Sequence, residues 1–350
     1  MFPAFRSTTS AIGFCCLLIV LLGLPIITSL IGHPARYQAY AGVSSEAAGP
    51  VGAIVHDIYR DRSDADVLFL GSSLVRAGID IPSMEHALSV HLGRPAHIQA
   101  LTLNWQGLDL QYFLLRDYLK THRAGLIVWN PPVPGSRSLE PHVEAFRWVR
   151  FGEYSDALSG LPLRYRLALY GDMILGAPRE LLSRIRPNLL SEDEINFKEK
   201  SEHQGYYGAP FVPQSIDRLA IPPIQESYEV PPYTLLRTAG KPLTPYEDHF
   251  ANKIVELAKE NHTTIVLMHI PIDIERGMDY MPERGKWDEE LHTDAPLIGL
   301  TSADLFHGVS QDRFLDFYRD QHLNFNGRLL FTRDITPAIL KAYDAREQHE

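Results

Sequence analysis

Short apolar runs alternate with amphipathic stretches over the part of the chain that follows residue 64. The apolar runs cover residues 66–71, 97–104 and 125–130, and the stretches between them, 83–92 and 108–122, carry apolar side chains at helical spacing. Continuous apolar runs of this length are typical of strands that are buried on both faces of a parallel sheet. The pattern therefore predicts a βαβαβ unit.

The same alternation returns towards the end of the chain. The pattern predicts a helix at 246–260, a buried strand at 263–270, a fifth strand at 295–300 and a closing helix at 325–345. Together the two parts predict an α/β domain over residues 65–345, built as a three-layer α/β/α sandwich around a mainly parallel sheet.

Residues 135–245 interrupt the alternation and are predicted to form an insertion between the third and fourth strands. Aromatic and basic side chains interleave at helical spacing over 146–190, and residues 210–245 contain eight prolines, too many for regular structure. An insertion at this point would overhang the carboxyl edge of the sheet, where such folds bind ligands. An irregular packing appendage is the alternative, and the sequence leaves both open.

The amino-terminal part contains an apolar segment. Residues 11–31 are 21 positions without a charge, about the ~20 that a helix needs to cross a bilayer. The pattern predicts one transmembrane anchor there, between a cytoplasmic segment at 1–10 and a linker at 32–64 that includes a short amphipathic helix at 51–59. A cleaved signal sequence is the alternative, because Ala39-Tyr40-Ala41 resembles a signal-peptidase site.

Composition narrows the possible functions. The chain has 33 basic and 43 acidic residues, a net charge of −10, and no concentrated run of Lys and Arg, which argues against a nucleic-acid partner. Both cysteines, Cys15 and Cys16, lie in the apolar segment, so the rest of the chain has no cysteine nucleophile and no cysteine-ligated zinc. Histidine and glycine spacings do not match metal or nucleotide motifs, and no metal or cofactor is predicted.

Two short polar motifs, far apart along the chain, carry the candidate chemistry. Gly71-Ser72-Ser73 follows the first predicted strand, where a tight strand-to-helix turn exposes a side chain above the sheet and directs backbone N–H groups to the same place. Asp320 and His322 precede the closing helix and suit a general base with an orienting carboxylate, which a serine nucleophile requires. Taken singly, each motif also fits a helix cap.

The early Gly71-Ser72-Ser73 motif and the late Asp320–His322 pair, in this order along the chain, resemble the motifs of the SGNH (GDSL-type) hydrolase and acyltransferase superfamily. The fold of that superfamily is a flavodoxin-like sandwich. The resemblance covers residues 66–132 and 246–345. It implies that Ser73 is the nucleophile, that His322 is the base and that Asp320 orients it.

The resemblance also implies an oxyanion hole. Its donors would be the backbone amides of Ser73 and Gly107 and the side-chain amide of Asn130, with Asn104 as a competing side-chain donor. Arg76, three residues after the serine, would hold an anionic group of the substrate or would be a solvated helix residue.

Two departures from the soluble members resemble the membrane-anchored, envelope-facing branch of the superfamily. Ser72 replaces the usual aspartate of the first motif, and one residue rather than two separates Asp320 from His322. Alginate O-acetyltransferase-like proteins and the teichoic-acid D-alanylation protein have similar features. This implies a single-pass protein of the inner (cytoplasmic) membrane, with the catalytic domain on the periplasmic or extracellular side and a membrane-bound O-acyltransferase as a partner.

The expected function is that of a serine O-acyltransferase or acylesterase that acts on a cell-envelope or exported polysaccharide through an acyl-serine intermediate. The alternative is a catalytically inert SGNH-like scaffold in a polysaccharide modification or export complex. A soluble-type lipase with a cleaved signal is a third hypothesis.

Overall fold

The structure is a computed structural model. It describes residues 7–30, 51–104, 106–132, scattered positions between 163 and 174, 243–281, 287, 291, 293–319 and 321–346. Apart from those scattered positions and residues 243–245, the predicted insertion at 135–245 lies outside the described residues.

Five parallel strands form the central sheet. In chain order they are β1 (Ala65–Ser72), β2 (Ile98–Leu103), β3 (Ala124–Trp129), β4 (Thr264–His269) and β5 (Leu297–Gly299).

The strands lie in the order β2-β1-β3-β4-β5. The chain leaves β1 towards β2 on one side and then returns to place β3 on the other side, so the winding reverses between β1 and β3. In open α/β sheets, ligands bind outside the carboxyl ends of the strands at such a reversal. The topology therefore predicts a ligand site at the carboxyl ends of β1 and β3.

In chain order, the helices of the described residues are α1 (Thr8–Leu30), α2 (Val51–Tyr59), α3 (Ser73–Gly78), α4 (Ile81–Leu92), α5 (Leu108–Leu119), α6 (Pro245–Glu260), α7 (Ser302–Leu305) and α8 (Phe325–Ala345). Helices that follow α1 cover both faces of the sheet. A two-stranded antiparallel hairpin, β6 (Tyr318–Arg319) and β7 (His322–Leu323), precedes α8.

Alternate residues of the strands divide the core into two clusters. In β1, Leu68 and Leu70 pack with α2, α5 and α6, whereas Val67 and Phe69 pack with α3, α4 and α8. A strand buried on both faces needs apolar residues at successive positions, which explains the unbroken apolar run at 67–70. The predicted α/β fold with a parallel sheet is confirmed.

Two helix boundaries differ from the predicted ones for local reasons. Helix α4 begins at Ile81 rather than at residue 83, because the Asp80 carboxylate accepts from the Ser83 amide at 3.3 Å and caps the helix. Helix α5 ends at Leu119 rather than at His122, whose ring contacts the Asp61 carbonyl oxygen at 2.8 Å.

Two helices, α1 and α2, lie in the amino-terminal part of the chain. Helix α1 covers most of the predicted transmembrane segment at 11–31, but no helix in the described part of the chain is long and apolar enough to cross a membrane. That part of the prediction is therefore unsupported. Helix α2 forms where the amphipathic helix was expected, and its residues Val51, Ile54 and Ile58 are buried in the core. The predicted linker at 32–64 thus contains a helix of the folded domain.

Asp66 anchors the amino-terminal end of β1, at the edge of the sheet away from the β1–β3 carboxyl ends. Its carboxylate accepts from Arg94 at 2.5 and 3.1 Å, from the His97 amide at 2.9 Å and from the Tyr343 hydroxyl at 2.9 Å. Burial raises the pKa of Asp66, but these donors outweigh burial and hold the pKa below its ordinary value. The carboxylate is therefore a charged structural group at neutral pH.

Candidate active site

The first motif forms an abrupt strand-to-helix turn. Strand β1 ends at Ser72 and α3 begins at Ser73, and the Ser72 hydroxyl accepts from the Leu74 amide at 3.4 Å as the helix cap. Gly71 is required because a Cβ there would collide with the Val75 side chain and lie 3.3 Å from Cβ and O of Asn130. The two serines therefore have different roles: Ser72 caps α3, and Ser73 lies at the carboxyl end of β1.

His322 lies within hydrogen-bond distance of Ser73. Its Nε2 is 2.8 Å from the Ser73 hydroxyl oxygen, although 249 positions separate the two residues. Both side chains are half-buried. In the tautomer that carries its proton on Nδ1, the ring accepts the serine proton at Nε2. The structure therefore brings the predicted nucleophile and the predicted base together at the β1 end of the topological reversal.

The second motif builds the hairpin that holds His322. The Asn324 side chain accepts from the Gly327 amide at 3.1 Å to cap α8, and donates to the Asp316 carbonyl oxygen at 2.7 Å. Leu323 is buried in the core beside His322. A Cβ on Gly327 would collide with the Phe317 carbonyl oxygen, so glycine lets α8 pack against the hairpin backbone.

Helices α3 and α8 are joined directly, which fixes the two halves of the site relative to each other. The buried Thr332 hydroxyl of α8 accepts from the Asp80 amide at 2.8 Å and donates to the Gly78 carbonyl oxygen at 3.4 Å. Arg328 Nε lies 3.5 Å from the Asp80 carboxylate. These contacts hold the carboxyl end of α3 against the helix that follows His322.

Asp320, the predicted orienting carboxylate, lies outside the described residues. Its neighbours are described: β6 and β7 pair with Arg319 opposite His322. The assignment of Asp320 stays a prediction.

Asn130 follows β3 and is 4% exposed. Its amide nitrogen Nδ2 donates to the Met268 carbonyl oxygen at 2.8 Å, and its backbone amide donates to the Leu70 carbonyl oxygen at 2.8 Å. Asn130 therefore links the ends of β1, β3 and β4. One of its two side-chain N–H groups is used inside the sheet, and the oxyanion role stays a prediction.

Asn104, the competing donor, follows β2 and contacts Arg76. The guanidinium donates through Nη2 to the Asn104 side-chain oxygen and through Nη1 to the Thr102 carbonyl oxygen at 3.3 Å. The sequence offered Arg76 as a substrate-binding or solvated residue, whereas these described contacts are to protein groups. The pairing of Arg76 with Asn104 could not be deduced from two residues 28 positions apart.

Gly107 lies at the amino-terminal cap of α5, with extended backbone torsions, and is buried. The preceding residue, Gln106, fixes this turn: its side chain accepts from the Leu103 amide at 2.5 Å and donates to the Leu101 carbonyl oxygen at 3.1 Å. Strand β2 is an edge strand, so Gln106 satisfies backbone groups that have no neighbouring strand. The loop that carries Asn104 and Gly107 is thereby held to the sheet.

A buried pair at the end of β4 was not expected. His269 and Glu275 are 0% and 2% exposed, and His269 Nε2 lies 3.0 Å from Glu275 Oε2. The only sequence signal was a histidine at the end of a buried strand. Among the described residues, no group of three or more His, Cys, Asp or Glu side chains is placed to hold a metal ion.

Comparison with known proteins gives no relative for this chain. No family model matches it, and neither a curated protein nor a solved structure matches it significantly. The geometry of the site and its motifs are therefore the basis for a functional proposal.

Proposed function

We propose that the protein is a serine acylesterase or O-acyltransferase that works through an acyl-Ser73 intermediate. The observation that carries the proposal is the 2.8 Å contact between His322 Nε2 and the Ser73 hydroxyl. That distance lies within the range that a general base needs to remove the serine proton. The position of the pair, at the carboxyl end of β1 beside the reversal of strand order, is the usual place for a ligand in such a sheet.

The proposed first step forms the acyl-enzyme. The Ser73 oxygen attacks the acyl carbonyl carbon while its proton passes to His322 Nε2, and the carbonyl oxygen becomes an oxyanion. His322 then gives the proton to the leaving oxygen as the carbon–oxygen bond of the donor breaks. Backbone amides at the start of α3 and near Gly107, with an asparagine side chain, would stabilise the oxyanion.

The second step regenerates the serine. A hydroxyl of water or of a sugar loses its proton to His322 and attacks the acyl carbon, and the proton returns to the Ser73 oxygen as the ester bond breaks. Water gives an esterase and a sugar hydroxyl gives an O-acyltransferase. The neutral imidazole serves both steps, so the same residues support either outcome.

Membership of the SGNH superfamily is part of the proposal. It is supported by the order of the motifs along the chain and by the strand ends at which they lie, since Ser73 follows β1, Asn104 follows β2 and Asn130 follows β3. A polysaccharide acceptor, a membrane-bound O-acyltransferase as partner, and attachment of the protein to the inner membrane with its domain outside are proposed on the sequence resemblance alone.

Turnover of p-nitrophenyl acetate by the purified protein tests the catalytic proposal. We expect Ser73→Ala and His322→Ala to abolish turnover, whereas His86→Ala, at an exposed position on α4, serves as the histidine control. Ser72→Ala separates the adjacent serines, because it removes a helix cap worth about 1 kcal/mol but leaves the nucleophile in place. A fluorophosphonate probe should label Ser73 in every variant that retains this serine and His322.

The inert-scaffold alternative gives the opposite results. If the wild type neither turns over the ester nor reacts with the fluorophosphonate, or if Ser73→Ala is labelled equally, the catalytic proposal fails. Adding an oligosaccharide acceptor separates the two enzymatic outcomes: an acyltransferase yields acylated sugar, and an esterase yields only acetate.

Fractionation of cells that express the full chain tests the proposed location. The membrane proposal predicts that the protein stays with the membranes in alkaline carbonate. Release of the protein, or a mature amino terminus that begins after residue 41, would favour the cleaved-signal alternative.

A further inference from the structure

We propose that Arg76 is a positioning residue that orients the Asn104 carboxamide as the side-chain donor of the oxyanion hole. This inference rests on the proposed function and assigns the donor to the end of β2 rather than to the end of β3. It also gives Arg76 a role different from binding an anionic group of the substrate.

The Arg76 contacts set the direction of the Asn104 amide. The side-chain oxygen of Asn104 accepts from Nη2, while Nη1 of the same guanidinium is tied to the Thr102 carbonyl oxygen. A carboxamide is planar, and its oxygen and NH₂ group diverge from the same sp² carbon atom. With the oxygen held by the arginine, the orientation of the amide is fixed, and the N–H that is trans to the oxygen points away from the arginine.

Two features of the backbone place this amide beside Ser73. Ser73 and Arg76 are three residues apart on α3, and residues at this spacing share a helix face. In the sheet, Ser72 is aligned with Leu103, so Ser73 and Asn104 are the next residues after an aligned pair of parallel strands, whose usual spacing is about 4.8 Å. Asn104 therefore lies on the side of α3 that carries the nucleophile.

The side-chain nitrogen of Asn130 is bonded within the sheet. Asn130 is 4% exposed and donates from Nδ2 to the Met268 carbonyl oxygen, so a second bond to an oxyanion would have to use the remaining hydrogen of a nitrogen that is held within the sheet. Asn104 is half-buried, and its amide oxygen accepts the bond from Arg76.

The arginine also strengthens the proposed donor. A hydrogen bond from a charged guanidinium is roughly twice as strong as one between neutral groups, and accepting it polarises the amide so that its N–H groups become better donors. A preorganised donor acts on the developing oxyanion without reorganising during the reaction.

Variants at positions 104 and 76 test the inference with p-nitrophenyl acetate, a neutral substrate. Asn104→Asp keeps an acceptor for Arg76 but removes the N–H donor, and Asn104→Ala removes both without adding a charge. We expect each to lower kcat by about 10²–10³-fold with KM little changed, and the midpoint of thermal unfolding of Asn104→Asp to stay at or above that of the wild type.

Arg76→Met should lower kcat by about tenfold when Asn104 is present. In the Asn104→Ala background the same change should alter kcat by less than twofold, because the arginine then has no amide to orient. Arg94→Met is the matched control: this exposed arginine pairs with Asp66 at the opposite edge of the sheet, and we expect wild-type kcat.

Each other outcome overturns the inference. If Arg76→Met raises KM, or lowers kcat equally in both backgrounds, Arg76 acts on the substrate or on the fold rather than through Asn104. If Asn104→Asp and Asn104→Ala retain wild-type kcat while Ser73→Ala is inactive, the proposed function survives and only the inference fails. If the wild type is no more active than Ser73→Ala, both fail together.

Discussion

Replacing Gly327 by alanine tests the contact that holds the His322 hairpin against α8. A Cβ at this position would collide with the Phe317 carbonyl oxygen and lie 3.0 and 3.2 Å from Cδ2 and Cβ of Leu323. The Phe317 oxygen also accepts from the Asn324 amide at 2.8 Å, so it is fixed backbone and cannot rotate away. Restoring ordinary contact requires α8 and the hairpin to separate by on the order of 1 Å.

The expected change in stability for Gly327→Ala is opposite in sign to that of an ordinary glycine-to-alanine substitution in a helix. Glycine to alanine within a helix normally raises stability by about 1 kcal/mol, whereas overpacking a buried site costs roughly 1–3 kcal/mol. Because the obstructing atom in Phe317 is backbone, we expect a net loss of about 1–2 kcal/mol, which lowers the unfolding midpoint by roughly 2–8 °C in a domain of this size. A displacement of about 1 Å at His322 can also cost up to ~10²-fold in rate.

Thermal unfolding followed by circular dichroism, together with kcat/KM for p-nitrophenyl acetate, measures both effects. Asn326→Ala, one position earlier in the same helical turn, controls for helix propensity and should not lower the unfolding midpoint. A Gly327→Ala protein that unfolds at or above the wild-type midpoint and retains full activity would show that the hairpin does not depend on this close approach.

Three further changes test the scaffold around the site. Gly71→Ala should lower stability by roughly 1–3 kcal/mol, because the added Cβ collides where β1 meets α3. The same collision should lower fluorophosphonate labelling of Ser73. A soluble variant with wild-type labelling would contradict this. Thr332→Val leaves the buried Asp80 amide, between α3 and α4, without its acceptor. We expect a loss of about 1–3 kcal/mol in urea unfolding, more than for Thr336→Val one turn later. Asp66→Asn should be less stable than the wild type at pH 7. Because the folded-state pKa of Asp66 is lowered, the difference in stability should shrink as the pH falls below about 4 and the carboxylate becomes protonated. A difference that does not change with pH would contradict a stabilising role of the charged carboxylate.

The sheet was predictable because each of its main strands carries its own signal. A strand such as 124–129, buried on both faces by two helical layers, must be apolar throughout, and few other structures require this. Helix α8 was likewise predictable, because its periodicity and the cap at Asn324 are local. A helix after the turn at Ser73 was expected, but the bounds of α3 were not, since six residues are too few to show a period.

The candidate site was predictable in part. The resemblance picked out Ser73 and His322 at the ends of separate elements, and the structure brings their side chains to 2.8 Å. The contact between Arg76 and Asn104 and the pair His269–Glu275 were missed. Each depends on how side chains from different elements are aimed, and neither leaves a pattern along the chain.

What the amino-acid sequence determined by itself is local: which segments form strands and helices, and where glycine, serine and asparagine end them. Those properties follow from hydrophobic period and from short-range capping, which act over a few residues. Which side chains meet is a property of the tertiary structure, because it depends on strand order and on the bond from Thr332 that joins α8 to the last residue of α3. These act between parts of the chain that are distant in sequence.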